Sequence, residues 1–373
     1  MSAHPSGATP PPHVTELLAG KRVCICTGPG GVGKTTTSAA IAVGMAARGL
    51  KVAVVTIDPA RRLANALGLA ELSNEPALVP RERLNDRGIA IEGELWAMML
   101  DPKRTFDELI EQIAPTPERA AEIKSNRVYA QISGAVSGSQ EFTAVSKLYE
   151  LVTEHDYDLI VLDTPPSRNA LDFFDAPTRL TAFLEGRALR ALLRPTGFGM
   201  KLFGFGMGPL LSGLRRITGV DLVRDLGTFF ALLGDMTESF SLRARRVDQL
   251  LRAPSTALLT VTAPQRAPTD EAILLRQMLA AQRMTLGGAI VNRYHPPLPE
   301  PDPARLEALL GAELAGRVMA AQRDHALLAD RDALNIERLQ AALQGDPLLL
   351  VPEFDEDVHD IDGLLRVHAH LFG

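Results

Sequence analysis

Gly28-Pro29-Gly30-Gly31-Val32-Gly33-Lys34-Thr35 is a complete G-x-x-x-x-G-K-[ST] phosphate loop, set between an apolar run, Val23 to Cys26, and an alanine-rich helical pattern. That strand-loop-helix setting separates a nucleotide site from an ordinary glycine turn. The backbone N–H groups from Gly28 through Gly30, Gly31, Val32 and Gly33 to Thr36 can cradle a β-phosphate. Lys34 can reach the β/γ oxygens, the Thr35 hydroxyl can hold Mg²⁺, and the helix start adds its dipole.

Outward from the loop, short β-rich runs alternate with helical patterns, which predicts an α/β fold with a mostly parallel, doubly wound sheet of seven to eight strands. The runs are Arg22 to Thr27, Lys51 to Ile57, Leu95 to Leu100, Asp158 to Asp163, Thr256 to Thr262, Leu286 to Asn292 and Pro347 to Val351. Several are nearly continuous apolar stretches, as expected of strands covered on both faces. Ligands of such sheets bind at the carboxyl ends of the strands, so the residues just past each strand matter most.

Two strands end in aspartate: Thr56-Ile57-Asp58-Pro59-Ala60 and Asp163-Thr164-Pro165-Pro166-Ser167. Asp163, after Leu159-Ile160-Val161-Leu162, supplies the fixed anion that a Walker B position needs one water away from Mg²⁺. Asp58 is the candidate for orienting the attacking water, because hydrolysis needs a carboxylate opposite the γ-phosphate. Read locally, each is also ordinary turn chemistry.

The chain has 373 residues, 46% of them hydrophobic and 23% charged, which is globular composition with room for one elaborated domain. A net charge of −6 argues against nucleic acid as a partner. The only cysteines, Cys24 and Cys26, share one strand face and read as buried, reduced thiols. The start lacks the basic and apolar segments of a signal peptide, and residues 1–18 read as a disordered Pro-rich tail before the main domain of 19–373. No stretch reaches the roughly 18 clean apolar residues of a membrane span. The expected location is cytoplasmic, with peripheral membrane contact left open.

Together the loop, Asp58-Pro59-Ala60 and Asp163-Thr164-Pro165-Pro166-Ser167 resemble the phosphate loop, switch I and switch II of the ArsA/Get3 family, deviant-Walker P-loop ATPases of the arsenite-pump and tail-anchored-protein-targeting kind. The resemblance covers most of the chain. Gly138-Ser139-Gln140-Glu141 is similar to the family's Pro-Gly-x-x-Glu segment. By this likeness Asp58 positions the water, Asn292 reads adenine, and the Val351-Pro352-Glu353-Phe354 turn packs against the base, with Pro352 and Phe354 as its contacts. ATP and Mg²⁺ are the implied cofactors, and no Asn-Lys-x-Asp guanine motif argues otherwise.

Four departures accompany the likeness. The family's loop carries at its second position a lysine that crosses a dimer interface, and here that position is Pro29. Because such a cation can carry much of the transition-state stabilisation, either a homodimer turns over slowly or a lysine-bearing relative completes the site as a heterodimer. The Cys-x-x-Cys zinc pair is absent, and so are the spaced cysteines for arsenite; neither a zinc nor an arsenite site is expected. In switch II the family's Gly-His-Thr is replaced by Arg168-Asn169-Ala170.

From Leu171 to Ala253 lies an insertion far longer than one crossover helix, read as an inserted helical subdomain over 171–253. Phe198, Met200, Phe203, Phe205, Met207 and Leu210 stand there among glycines, the flexible apolar side chains that suit varied hydrophobic partners. Between Arg187 and Arg224 seven cations face one acid, Asp221. A client surface, a membrane-surface element and plain packing of a helical subdomain all remain open.

The rest reads plainly. Trp96 is expected in the core, and His359, His368 and His370 as solvated side chains. Arg293 to Pro299 forms an extended loop, and no internal repeat occurs. The function expected is a Mg·ATP-dependent switch coupling dimer closure to a hydrophobic or membrane-protein client. The alternatives are a weakly catalytic subunit of a heteromeric complex and a MinD/ParA-type positioning ATPase.

Overall fold

The computed structural model describes residues 13–58, 60–126, 129, 139–164, 236–358 and 360–373. The described residues form two compact units, one from 13–99, 156–164 and 254–373 and the other from 100–155 and 236–253.

The first unit is built on an eight-stranded sheet in the order β3-β4-β2-β5-β1-β6-β7-β8. Its strands are β1 (Val23–Thr27), β2 (Lys51–Thr56), β3 (Ala77–Leu78), β4 (Glu94–Met99), β5 (Leu159–Asp163), β6 (Thr256–Thr262), β7 (Gly288–Tyr294) and β8 (Leu348–Pro352). Every pairing is parallel except β3 with β4. The two-residue β3 is absent from the sequence-based set because it is too short to show a period. β1 and β5 lie in the middle, and all their residues are buried, which is why both read as unbroken apolar runs.

Helices cover this sheet: α1 (Val14–Leu17), α2 (Lys34–Ala47), α3 (Arg62–Ala66), α4 (Glu82–Asn85), and further along the chain the helices after β6, β7 and β8. The second unit contributes α5 (Pro102–Ile113), α6 (Pro117–Ser125), α7 (Ser139–Glu154) and α8 (Thr237–Arg252). The first unit resumes with α9 (Arg266–Ala281), α10 (Pro303–Leu310), α11 (Ala312–Leu343) and α12 (Ile361–Phe372). Three helices start on the same device. Asp101, Thr116 and Asp302 each accept a backbone N–H with the side chain, and the next residue, a proline, occupies the first helical turn, where its missing N–H costs nothing.

Three expectations are corrected by the structure. Within the tail expected over 1–18, Val14 and Leu18, at 0% and 2% exposure, bury their side chains in the core, and α1 runs from Val14 to Leu17. Trp96 is half-buried rather than core. Its indole Nε1 donates to the Glu94 carboxylate at 3.0 Å, and its ring meets Tyr157 edge-on. His368 is not a solvated side chain, because its ring stacks on Phe372 and its Nε2 is buried. Burial next to Arg48 pushes its pKa down to about 4. Cys24 and Cys26 are free thiols, both fully buried on the same side of β1. No helix among the described residues is long and apolar enough to cross a membrane.

Candidate nucleotide site

The site forms where β1 ends. Gly28 leaves the strand with φ 148° and lies so close to β6 that a Cβ would collide with the Val261 carbonyl oxygen. Gly31 and Gly33 have φ 80° and 91°, left-handed values that a side chain resists, so the loop can fold back over the strand end. Gly33 caps α2, leaving the first N–H groups of that helix directed at the loop. Val32 is buried and anchors the loop. Its carbonyl accepts a 2.9 Å hydrogen bond from Asn292 Nδ2, so Asn292 braces the loop from β7.

Strand register places the carboxylates. Asp163, the last residue of β5, is level with Cys26 on one side and Thr56 on the other. Asp163 Oδ2 accepts from the Thr35 hydroxyl at 2.7 Å and from the Thr56 hydroxyl at 2.8 Å. Its second oxygen, Oδ1, is buried without a partner among the described residues. Burial is the main influence on this carboxyl and raises its pKa to about 6, against the lowering effects of Thr35, Thr56 and Lys34. A buried carboxylate oxygen left open beside a threonine hydroxyl is a hard donor set, and Thr35 with Asp163 fits Mg²⁺.

Lys34 is buried to 6% exposure, and desolvation lowers its pKa, partly opposed by Asp163 and Asp58. Its ammonium donates to the Pro29 carbonyl at 2.8 Å, inside the loop it belongs to. Asp58 sits in a turn of its own making. Its N–H donates to the Thr56 hydroxyl at 3.2 Å, its Oδ1 accepts from the Ala60 N–H at 3.0 Å, and Oδ2 lies 3.7 Å from the Arg62 guanidinium. Asp58 thus makes the turn its local sequence suggests, and its charge acts on Lys34.

Beyond α2, a pocket is lined by Gly33, Thr36, Asn292, Arg293, Phe354 and the carboxylates after β8. Asn292 does not end its strand, as expected from the sequence, but leads into a bulge at which Arg293 takes φ 63° before β7 finishes at Tyr294. Arg293 reaches Glu353 at 3.7 Å, and Arg366 covers the Phe354 ring. Phe354 thus lies in the pocket wall, whereas Pro352 pairs with Tyr294 in the sheet and is not part of the lining.

Thr56 is a site residue that the sequence does not reveal. The neighbouring Asp58 draws attention to the segment but not to Thr56 itself; only the pairing of β2 with β5 brings its hydroxyl to Asp163. The expected client residues Phe198, Met200, Phe203, Phe205, Met207 and Leu210, the switch II residues after Thr164, and His359 lie outside the described residues.

A mostly parallel sheet with a phosphate loop at its central strand, and a carboxylate from the neighbouring strand on the loop's threonine, defines a P-loop nucleotide-binding protein. The model of the anion-transporting ATPase family matches residues 21–310, and the chain belongs to that family. It is 27% identical over 213 residues to the ATPase GET3 of Malassezia globosa, across 56% of this chain and 55% of that protein. An ASNA1-homologue ATPase of Entamoeba dispar is 25% identical over 298 residues, across 77% and 81% of the two chains. A putative arsenical pump-driving ATPase of Aquifex aeolicus is 25% identical over 285 residues, across 74% and 64%. The match spans little more than half the length of some curated relatives, 55% of the Malassezia protein and 57% of a get3 ATPase of Schizosaccharomyces japonicus.

Proposed function

We propose that this chain binds and hydrolyses Mg·ATP as a molecular switch, coupling closure of a dimer to handling of a hydrophobic or membrane-protein client. The observation that carries the nucleotide half is the Thr35–Asp163–Thr56 arrangement, with a buried carboxylate oxygen left without a partner among the described residues. Mg²⁺ bound there would neutralise β- and γ-phosphate oxygens. Lys34 exchanges the Pro29 carbonyl for a phosphate oxygen, which recovers a charge-assisted bond for a buried cation. The loop N–H groups and the start of α2 hold the β-phosphate. Asp58, fixed by its own turn, orients the nucleophilic water and takes up its proton as the γ-phosphoryl bond breaks. Phe354 and Asn292 face the base. Client handling rests on the apolar sequence between Phe198 and Leu210 and on the kinship with the targeting ATPases.

Asp58→Asn tests the mechanism. It should preserve ATP binding and reduce turnover by about a hundredfold or more; unchanged turnover would remove Asp58 from the role.

Pro29 favours a second reading, in which the chain is a weakly catalytic subunit and a related, lysine-bearing partner completes its site. Specific activity measured across protein concentration separates the two. A rate that climbs with concentration supports the homodimer, and ATP binding with no turnover at any concentration supports the missing partner.

A further inference from the structure

The segment after β2 departs from local preference at two successive residues. Arg61 takes φ 57°, the left-handed backbone that a side chain resists, and it precedes α3 without capping it through its side chain. Arg62 then puts a cation in the first turn of α3, the end at which peptide dipoles disfavour positive charge. Such departures collect where a site requires a particular side chain.

The two arginines differ in what holds them. Arg61 pairs with Glu71 at 3.6 Å, both side chains being well exposed. Arg62 turns back towards the end of β2, where its guanidinium lies 3.7 Å from Asp58 Oδ2. That distance is too long for a hydrogen bond, and Asp58 is its only ion-pair partner among the described residues. With the side chain 63% exposed, its N–H donors stand beside the proposed water-orienting carboxylate and are loosely held.

The phosphate loop itself offers one cation, Lys34. Desolvation is the main influence lowering the pKa of that ammonium; Asp163 and Asp58 raise it, and Arg62 lowers it again. Lys34, Asp163, Asp58 and Arg62 therefore share one electrostatic neighbourhood, in which a single loop lysine faces two carboxylates. The γ-phosphoryl group adds negative charge, spread in the transition state over three equatorial oxygens.

We infer that Arg62 is a catalytic residue supplied in cis: with ATP bound, its guanidinium leaves Asp58 and takes the γ-phosphate oxygens. This role rests on the Mg·ATP reading of the same site and adds a residue to it. A planar fork of donors suits phosphate oxygens better than one carboxylate oxygen at 3.7 Å. The exchange also frees Asp58 Oδ2 for the nucleophilic water. As the water oxygen bonds to the γ-phosphorus, the bond to the β–γ bridging oxygen breaks, its electron pair leaves with ADP, and the water proton passes to Asp58. Arg62 stays protonated throughout and neutralises the equatorial oxygens. The cation that Pro29 does not supply thus comes from the same chain.

The test uses the full chain and two readouts, steady-state Mg·ATP hydrolysis and the separate affinities for Mg·ATP and Mg·ADP. Arg62→Gln should lower kcat about a hundredfold. Arg61→Gln, which removes the same charge one residue away, should match wild type, and Arg62→Lys, which keeps the charge without the fork, should fall between. Affinities are then measured on Asp58→Asn, where Arg62 has no carboxylate to rest on and hydrolysis does not intrude. There, adding Arg62→Gln should weaken Mg·ATP about tenfold and leave Mg·ADP unchanged, because only ATP carries the γ-phosphate. Equal effects on the two nucleotides, or none, would reduce Arg62 to a support for Asp58 and overturn the proposal. So would wild-type turnover in Arg62→Gln, or a wild type that binds ATP without turnover at any protein concentration. A wild type that binds no nucleotide would instead overturn the Mg·ATP reading, and the role of Arg62 would fall with it.

Discussion

Thr56→Val replaces a hydroxyl by a methyl of nearly the same shape, so its effect isolates two hydrogen bonds. Thr56 donates to Asp163 Oδ2 at 2.8 Å and accepts from the Asp58 N–H at 3.2 Å, tying the proposed water-orienting segment to the metal-side carboxylate. A hydrogen bond to a charged group contributes about 1.5–3 kcal/mol. Asp163 is 1% exposed, and its Oδ1 already lacks a partner, so Thr35 would be left as its sole donor among the described residues. The loss should therefore fall in the upper half of that range, about 2–3 kcal/mol, or a decrease in Tm of roughly 3 °C for a chain this long. Turnover should drop by about tenfold, because Asp58 loses the bond that fixes its backbone. Nucleotide affinity should change less, since the loop itself is untouched. The assay pairs thermal unfolding of the nucleotide-free protein with steady-state Mg·ATP hydrolysis, and Thr56→Ser, which keeps the hydroxyl, serves as the control. A valine variant with wild-type stability and turnover, or a serine variant as damaged as valine, would refute the reasoning.

Gly28→Ala should abolish ATP binding, measured by titration with a fluorescent nucleotide, because a Cβ at φ 148° meets the backbone of Val261, which cannot move without breaking β6 from β1; retained binding would show that the loop tolerates the shift. His368 gives a pH dependence. Its folded pKa of about 4 lies below the unfolded value of about 6.5, so the unfolded state takes up the proton first as pH falls. Its share of the stability is complete above about pH 6.5, declines between 6.5 and 4, and is level below. The ring keeps partial exposure, so screening reduces this share to about 1–2 kcal/mol. Urea midpoints at both ends of that window should fall further for wild type than for His368→Phe, and equal losses would count against it.

The information that the sequence determined by itself was local. The phosphate loop lies within eight consecutive residues, and the left-handed backbone of Gly31 and Gly33 is a local requirement, whereas Gly28 is also held to glycine by the approach of Val261. β1, β2 and β5 announced themselves because strands covered on both faces must be apolar throughout. Asp163 and Asp58 were visible because each ends such a run. Pairing was decided only by the tertiary structure. Thr56 is 107 residues from Asp163, and Val32 is 260 from Asn292; no periodicity encodes either bond, since both arise from strand order and register. The shielding of His368 and the half-burial of Trp96 belong to the same class. Local chemistry names what a residue can do, but burial and partnership depend on which distant segment the folded chain brings against it.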